Sequence, residues 1–179
     1  MATRTNLPAA VTSGSALPAA TINDLRGAFR ILQVVSTVKT DTYTMSSTTF
    51  TDITGLSVSI TPQSTSSKIF VMATVSGAGQ VNATNFFGRL VRDSTAIDVG
   101  DASGTRIQAT LHARDADGQS SMPIMFLDSP ASVSALTYKV QVRSQSSGSL
   151  IYINRNGPDA DSPTTARTTS SITVFEVSA

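Results

Sequence analysis

Leu56-Ser57-Val58-Ser59-Ile60-Thr61 alternates strictly between apolar and hydroxyl side chains. Successive residues of an extended strand point to opposite faces. The pattern therefore puts Leu56, Val58 and Ile60 toward a core and the hydroxyls toward water. It recurs down the chain. Ile107, Ala109, Leu111 and Ala113 alternate with Gln108, Thr110, His112 and Arg114, and Leu136, Tyr138, Val140 and Val142 with Thr137, Lys139, Gln141 and Arg143. Strands are predicted over residues 31–38, 48–52, 56–61, 68–76, 85–93, 106–114, 122–128, 136–144, 150–154 and 171–177. Between them stands turn chemistry such as Thr54-Gly55, Thr61-Pro62, Asp117-Gly118, Ser129-Pro130 and Asn156-Gly157. Gly77-Ala78-Gly79 reads as a loop. Short strands at this spacing predict an all-β protein, an antiparallel β-sandwich of jelly-roll-like style.

Two predicted strands break the alternation. Ile69-Phe70-Val71-Met72-Ala73 and Pro123-Ile124-Met125-Phe126-Leu127 are apolar on both faces. A two-layer sandwich covers only one face of each strand, so these need a second cover, which a subunit interface supplies. A homo-oligomer is expected from this. No cysteine is present, so packing and association must stabilise the fold without disulfides or Cys-based zinc. Charged residues make up 14% of the chain, well below the usual share of about 25%. A net charge of +1 gives no electrostatic case for nucleic acid or membrane partners. No apolar run reaches membrane-spanning length, and the first residues lack the apolar core of a signal peptide.

Residues 1–30 differ from the rest. Leu-Pro-Ala-Ala occurs twice, at Leu7–Ala10 and Leu17–Ala20, and each proline biases the preceding leucine toward extended backbone. Two readings follow, a flexible leader or an extended arm that orders against a partner, and the two leucine anchors at the same interval favour the arm. One short helix follows, capped by Thr21, with Asp24 near the positive end of its dipole. Ile22, Leu25 and Phe29 fall on one face of it, a stripe that must pack on something. Leu7, Leu17, Ile22, Leu25 and Phe29 are thus the expected partner-binding residues of the arm, and residues 31–179 the β domain.

Catalytic chemistry is hard to find. The single histidine, His112, lies on the polar face of its strand and reads as a solvated residue. No Gly-x-Ser-x-Gly elbow singles out a nucleophile among the many serines. Asp115 with Asp117, and Asp159 with Asp161, place carboxylates at i, i+2 in loops, the spacing at which calcium loops begin. Neither pair has the Glu that completes an EF-hand, so Asx-rich turns are the reading and a weak cation site the lesser alternative. Aromatics are few, 7 Phe and 3 Tyr with no Trp, and most are assigned to core faces. No cofactor is expected, and no residue stands out for an enzymatic role.

Residues 31–42, ILQVVSTVKTDT, resemble the opening of a β domain recurrent in bacteriophage virion fibre proteins, those of cyanophages and marine phages above all. The resemblance continues through residues 49–62 and 65–69, resumes at residues 89–95 and closes at residues 171–177. It implies a virion structural protein, a homotrimeric tail fibre or receptor-binding tip, assembled in the host cytoplasm and without catalytic residues. The arm would hold other virion proteins. Loops around residues 98–104, 115–119 and 154–162 would face the host, with a surface glycan as the ligand class. Fibre proteins usually carry a long N-terminal shaft, whereas only about thirty residues precede this domain. A short fibre or spike, or a knob decorating the capsid, follows. A free-standing carbohydrate-binding module is the remaining alternative.

Overall fold

Three predicted alternating segments, around residues 56, 111 and 136, come together in one sheet. The computed structural model describes residues 30–80, 84–115, 118–157 and 159–178. The predicted arm and helix, with Leu7, Leu17, Ile22, Leu25 and Phe29, lie outside them. Eleven strands follow in order: β1 (Ile31–Lys39), β2 (Tyr43–Met45), β3 (Thr51–Ile60), β4 (Lys68–Gly79), β5 (Thr84–Arg92), β6 (Thr95–Ile97), β7 (Leu111–Asp115), β8 (Ser120–Asp128), β9 (Leu136–Ser144), β10 (Ile151–Ile153) and β11 (Ser170–Val177). All pairings are antiparallel.

One sheet runs β1-β11-β4-β8, with the short β10 and β2 continuing beyond the far end of β4; the other runs β3-β9-β5-β7, with β6 also on β5. If the eight longer strands are counted in chain order, the sheets read 1-8-3-6 and 2-7-4-5. That is the double Greek key of a jelly roll. The expected β-sandwich is therefore present, and its topology is now explicit.

The core lies between the sheets. Ile69, Val71, Val75, Ile124, Ile172 and Val174 face Leu56, Val58, Phe86, Leu90, Tyr138 and Val140, all buried. A clasp crosses this interior. Asp128 on β8 accepts two bonds from Arg92 Nη1 on β5, at 2.8 and 2.6 Å, and one from Tyr138 Oη on β9 at 2.7 Å. Burial, reinforced by the Asp128 carboxylate, pushes the Tyr138 phenol far above its ordinary pKa.

Several predicted boundaries are corrected. Thr54-Gly55 is no turn: β3 runs unbroken through it, and Gly55 (φ +82°) sits where the register with β9 shifts between Asp52 and Ser57. A bulge of that kind favours the residue most tolerant of positive φ. Gly77-Ala78-Gly79 is no loop either. It ends β4, paired with β10 on one side, and Gly77 also pairs with Ser120 of β8 on the other. A Cβ on Gly77 would stand 3.2 Å from Phe86 Cζ and 3.3 Å from the Tyr152 carbonyl oxygen. Close approach, not turning, is the reason for glycine there.

The strand predicted over residues 106–114 begins only at Leu111. Thr110 Oγ1 donates to the Asp98 carbonyl and accepts from Leu90 N, at 2.7 and 2.9 Å, so its hydroxyl takes the place of ladder bonds. β2 and β6 are three residues each, too short for alternation to reveal.

Candidate interaction surface

The second cover demanded by Ile69–Ala73 and Pro123–Leu127 is traced by the register. These two segments are β4 and β8, side by side, with Phe70 opposite Leu127, Met72 opposite Met125 and Thr74 opposite Pro123. On the other flank of β4, Phe70 pairs with Phe175 and Met72 with Thr173; β1 then sets Val34 beside Phe175 and Ser36 beside Thr173. Since alternation puts all of these on the same face, two rows cross the whole sheet. One reads Val34, Phe175, Phe70, Leu127. The next reads Ser36, Thr173, Met72, Met125.

This outer face is apolar and solvent-facing. Met125 is 65% exposed, Val38 58%, Leu127 56%, Val34 52% and Met72 42%. The Phe70 and Phe175 rings lie against each other, centroids 6.2 Å apart. The two hydroxyls in the centre satisfy one another, Ser36 Oγ and Thr173 Oγ1 being 2.8 Å apart. Neither row contains a charge. Lys68, at one end, is turned to Ser129 Oγ at 2.9 Å. At strand spacings of about 4.8 Å and rises of about 3.3 Å, a four-strand face of this length covers roughly 600 Å². That stands at the upper end of the largest patch on an ordinary monomer, roughly 300–600 Å², and patches of that size are often functional.

β1 and β11 contribute to this face although their sequences did not announce it. The signal is present in hindsight. Val34-Val35 is an apolar doublet, and Phe175 stands next to the buried Val174. The chain enters here too: Arg30 N donates to Ser178 Oγ at 3.0 Å and Ser178 N to the Arg30 carbonyl at 2.9 Å. Arg30, the first described residue, thus sits at the β1 margin of the apolar sheet.

The carboxylate pairs are not assembled into a site among the described residues. Asp159 is bound by Arg167 Nη2 at 2.7 Å, and both line an open recess of about 380 Å³ with Asp161 and Asn156. Asp117 and the side chain of Asp115 lie outside the described residues. Of the loop expected to face a host at residues 154–162, Asn154 instead is fully buried. Its Nδ2 donates to the carbonyls of Lys39 and Asp41, both at 2.9 Å, and its Oδ1 accepts from Ser170 Oγ at 2.7 Å.

No family model matches the chain, and no curated protein does. Among solved structures it is similar to a mutant VP2 protein of infectious bursal disease virus in derived T=1 particles, at TM-score 0.42 and 16% identity over 80% of this chain and 36% of that one. It is also similar to the structure of the Gx strain of infectious bursal disease virus, at TM-score 0.42 and 12% identity over 81% of this chain and 41% of that one. The chain thus spans well under half the length of those structures.

Proposed function

We propose that the chain is a structural protein of a phage particle, a short fibre or spike whose β domain associates as a homotrimer through the outer face of β1, β11, β4 and β8. The apolar face carries this reading. A surface of roughly 600 Å² per copy approaches the ~800 Å² per partner of a standard interface. A second copy is the occupant that its chemistry fits. With no charge in its two central rows and its central hydroxyls self-paired, the face meets its own kind without repulsion or stranded polar groups. The count of three comes from the resemblance of residues 31–179 to phage fibre domains. Residues 1–30 would tie the domain to other virion proteins, and the opposite sheet would then face outward.

Cryo-electron microscopy of the intact particle tests this reading. Threefold density on the tail, with the apolar sheets facing one another, is the expected result. Density on the shell would make the chain a decoration protein, and its absence from the particle would end the virion reading.

A further inference from the structure

On the opposite sheet, the outward side chains of β9, β5 and β7 build a recess that the fold does not need. Phe87 and His112 are cross-strand partners with rings stacked at 4.9 Å and 12°. Arg143, the partner of Phe87 on β9, holds its guanidinium 6.0 Å from that ring and 5.9 Å from Phe50. Arg89 closes the series 4.2 Å from Phe50. Next to this row, Asn85 Oδ1 lies 3.1 Å from His112 Nε2, and Asn85 Nδ2 donates to Gln145 Oε1. The segment from Thr105 to Leu111 forms the opposite wall, giving an open recess of about 620 Å³ lined by Asn85, Phe87, Arg106, Ile107, His112 and Gln145.

The described charge lining the recess is that of Arg106. No Asp or Glu lines the recess, and the ion pairs of the described residues are made by Lys39, Arg92, Lys139 and Arg167. Arg106 spends one bond on Ser103 Oγ at 2.7 Å and Arg143 one on the Ser144 carbonyl at 3.2 Å, so both keep free N–H groups. His112 Nδ1 and Gln145 Nε2 have no protein partner among the described residues.

We infer that this recess binds a carboxylated sugar. The recess-facing side of the His112 ring, the end of the stacked pair, takes the C–H face of a pyranose, the amides of Asn85 and Gln145 take hydroxyls, and Arg106 takes the carboxylate. Guanidinium groups suit that last role because their fork matches a planar carboxylate. A nucleic-acid strand needs a run of cations along its backbone, which a chain of net charge +1 does not offer. The site stands on its own geometry; only its use on a host surface rests on the virion reading. Several copies on one oligomer would multiply a weak site by raising effective concentration.

The test is calorimetric titration of the full chain with a galacturonic acid trisaccharide, the matching galactose trisaccharide and a thymidine oligonucleotide. The expected result is weak saturable binding of the acidic sugar alone. It should fall roughly tenfold or more in Arg106→Gln, since a charge-assisted bond to a carboxylate is worth about 1.5–3 kcal/mol, and several-fold in His112→Ala, which loses the ring under the sugar. Both positions are at the surface, and unchanged thermal unfolding certifies the fold. Met125→Asp, on the far sheet, should bind as the parent does. Equal binding of the neutral sugar, tighter binding of the oligonucleotide, or indifference to both recess variants would overturn the proposal. Acidic-sugar binding by a chain absent from particles would leave the site standing and remove its host-surface role.

Discussion

Asn154 shows how one residue holds three elements in place. It adopts φ +62°, a left-handed conformation that asparagine tolerates better than most side chains. Its backbone N donates to the Ser76 carbonyl at 2.9 Å, while its amide joins the β1–β2 connection to Ser170 at the start of β11. Asn154→Gly keeps the backbone but strands two carbonyls and a hydroxyl, a loss of about 2–4 kcal/mol in urea denaturation. Asn154→Asp should be worse at neutral pH, because a carboxylate would then face two carbonyl oxygens with no donor to give. Glu176 poses the opposite problem. Burial alone would raise its pKa, but donors around it, Gln33 Nε2 at 2.6 Å and Gln63 N at 2.7 Å among them, hold the carboxyl below the usual range. A depressed folded-state value stabilises the fold above the unfolded pKa of about 4.3, and the gain is lost as pH falls through the folded value. Glu176→Gln should thus cost stability at neutral pH and cost progressively less on acidification, measured by denaturation across that range. A cost that does not change with pH would remove the carboxylate from the account.

Among the elements, β8 has two jobs, one on each face. Inward, Asp128 ends the strand by clasping Arg92 and Tyr138 of the other sheet. Asp128→Ala should cost about 3 kcal/mol or more, because an arginine and a phenol lose their common acceptor in a buried setting. Tyr138→Phe removes one bond only and should cost about 1–2 kcal/mol. In a double-mutant cycle the two should be clearly non-additive, and strict additivity would mean that the clasp contributes nothing as a unit. The strands themselves were largely legible. β9 read straight off its alternation, and so did the inner face of β3, since a period of two needs only side-chain polarity to appear. What hid was set by the backbone. Glycine looks like a turn whether it serves a bulge, as Gly55 does, or lets Phe86 approach, as Gly77 does. The loop before Leu111 hid for a related reason: Ile107 and Ala109 alternate well, yet the Thr110 hydroxyl diverts the ladder bonds. The apolar face was half legible. Phe70, Met72, Met125 and Leu127 announced themselves by double-sided hydrophobicity, but only register shows that Val34 and Phe175 complete their row. The recess was missed because Phe50, Phe87 and His112 are far apart in sequence, and Phe87 next to buried Phe86 reads as core.

At the scale of the whole molecule, the two outer faces differ in kind, and that difference decides what association should look like. The β4–β8 side offers Met, Leu, Val and Phe without charge; the β9–β5–β7 side offers Arg89, Arg143, Phe87, His112 and amides. Association through the first is driven by removing apolar area from water, at about 25 cal/mol per Å² before the costs of immobilisation. Association through the second would involve charges, and salt would screen it within about 10 Å at ordinary ionic strength. The homo-oligomer should therefore hold, or tighten, as salt rises toward molar concentration in sedimentation experiments. Met125→Asp combined with Leu127→Asp should turn it into a monomer. Both side chains point outward from a strand with one free edge, so the monomer should unfold at close to the parent's denaturant midpoint, which separates lost association from lost folding. Dissociation by salt, or an oligomer that survives both aspartates, would move the interface off this sheet. A parent that sediments as a monomer at micromolar concentration would leave the apolar face to another partner.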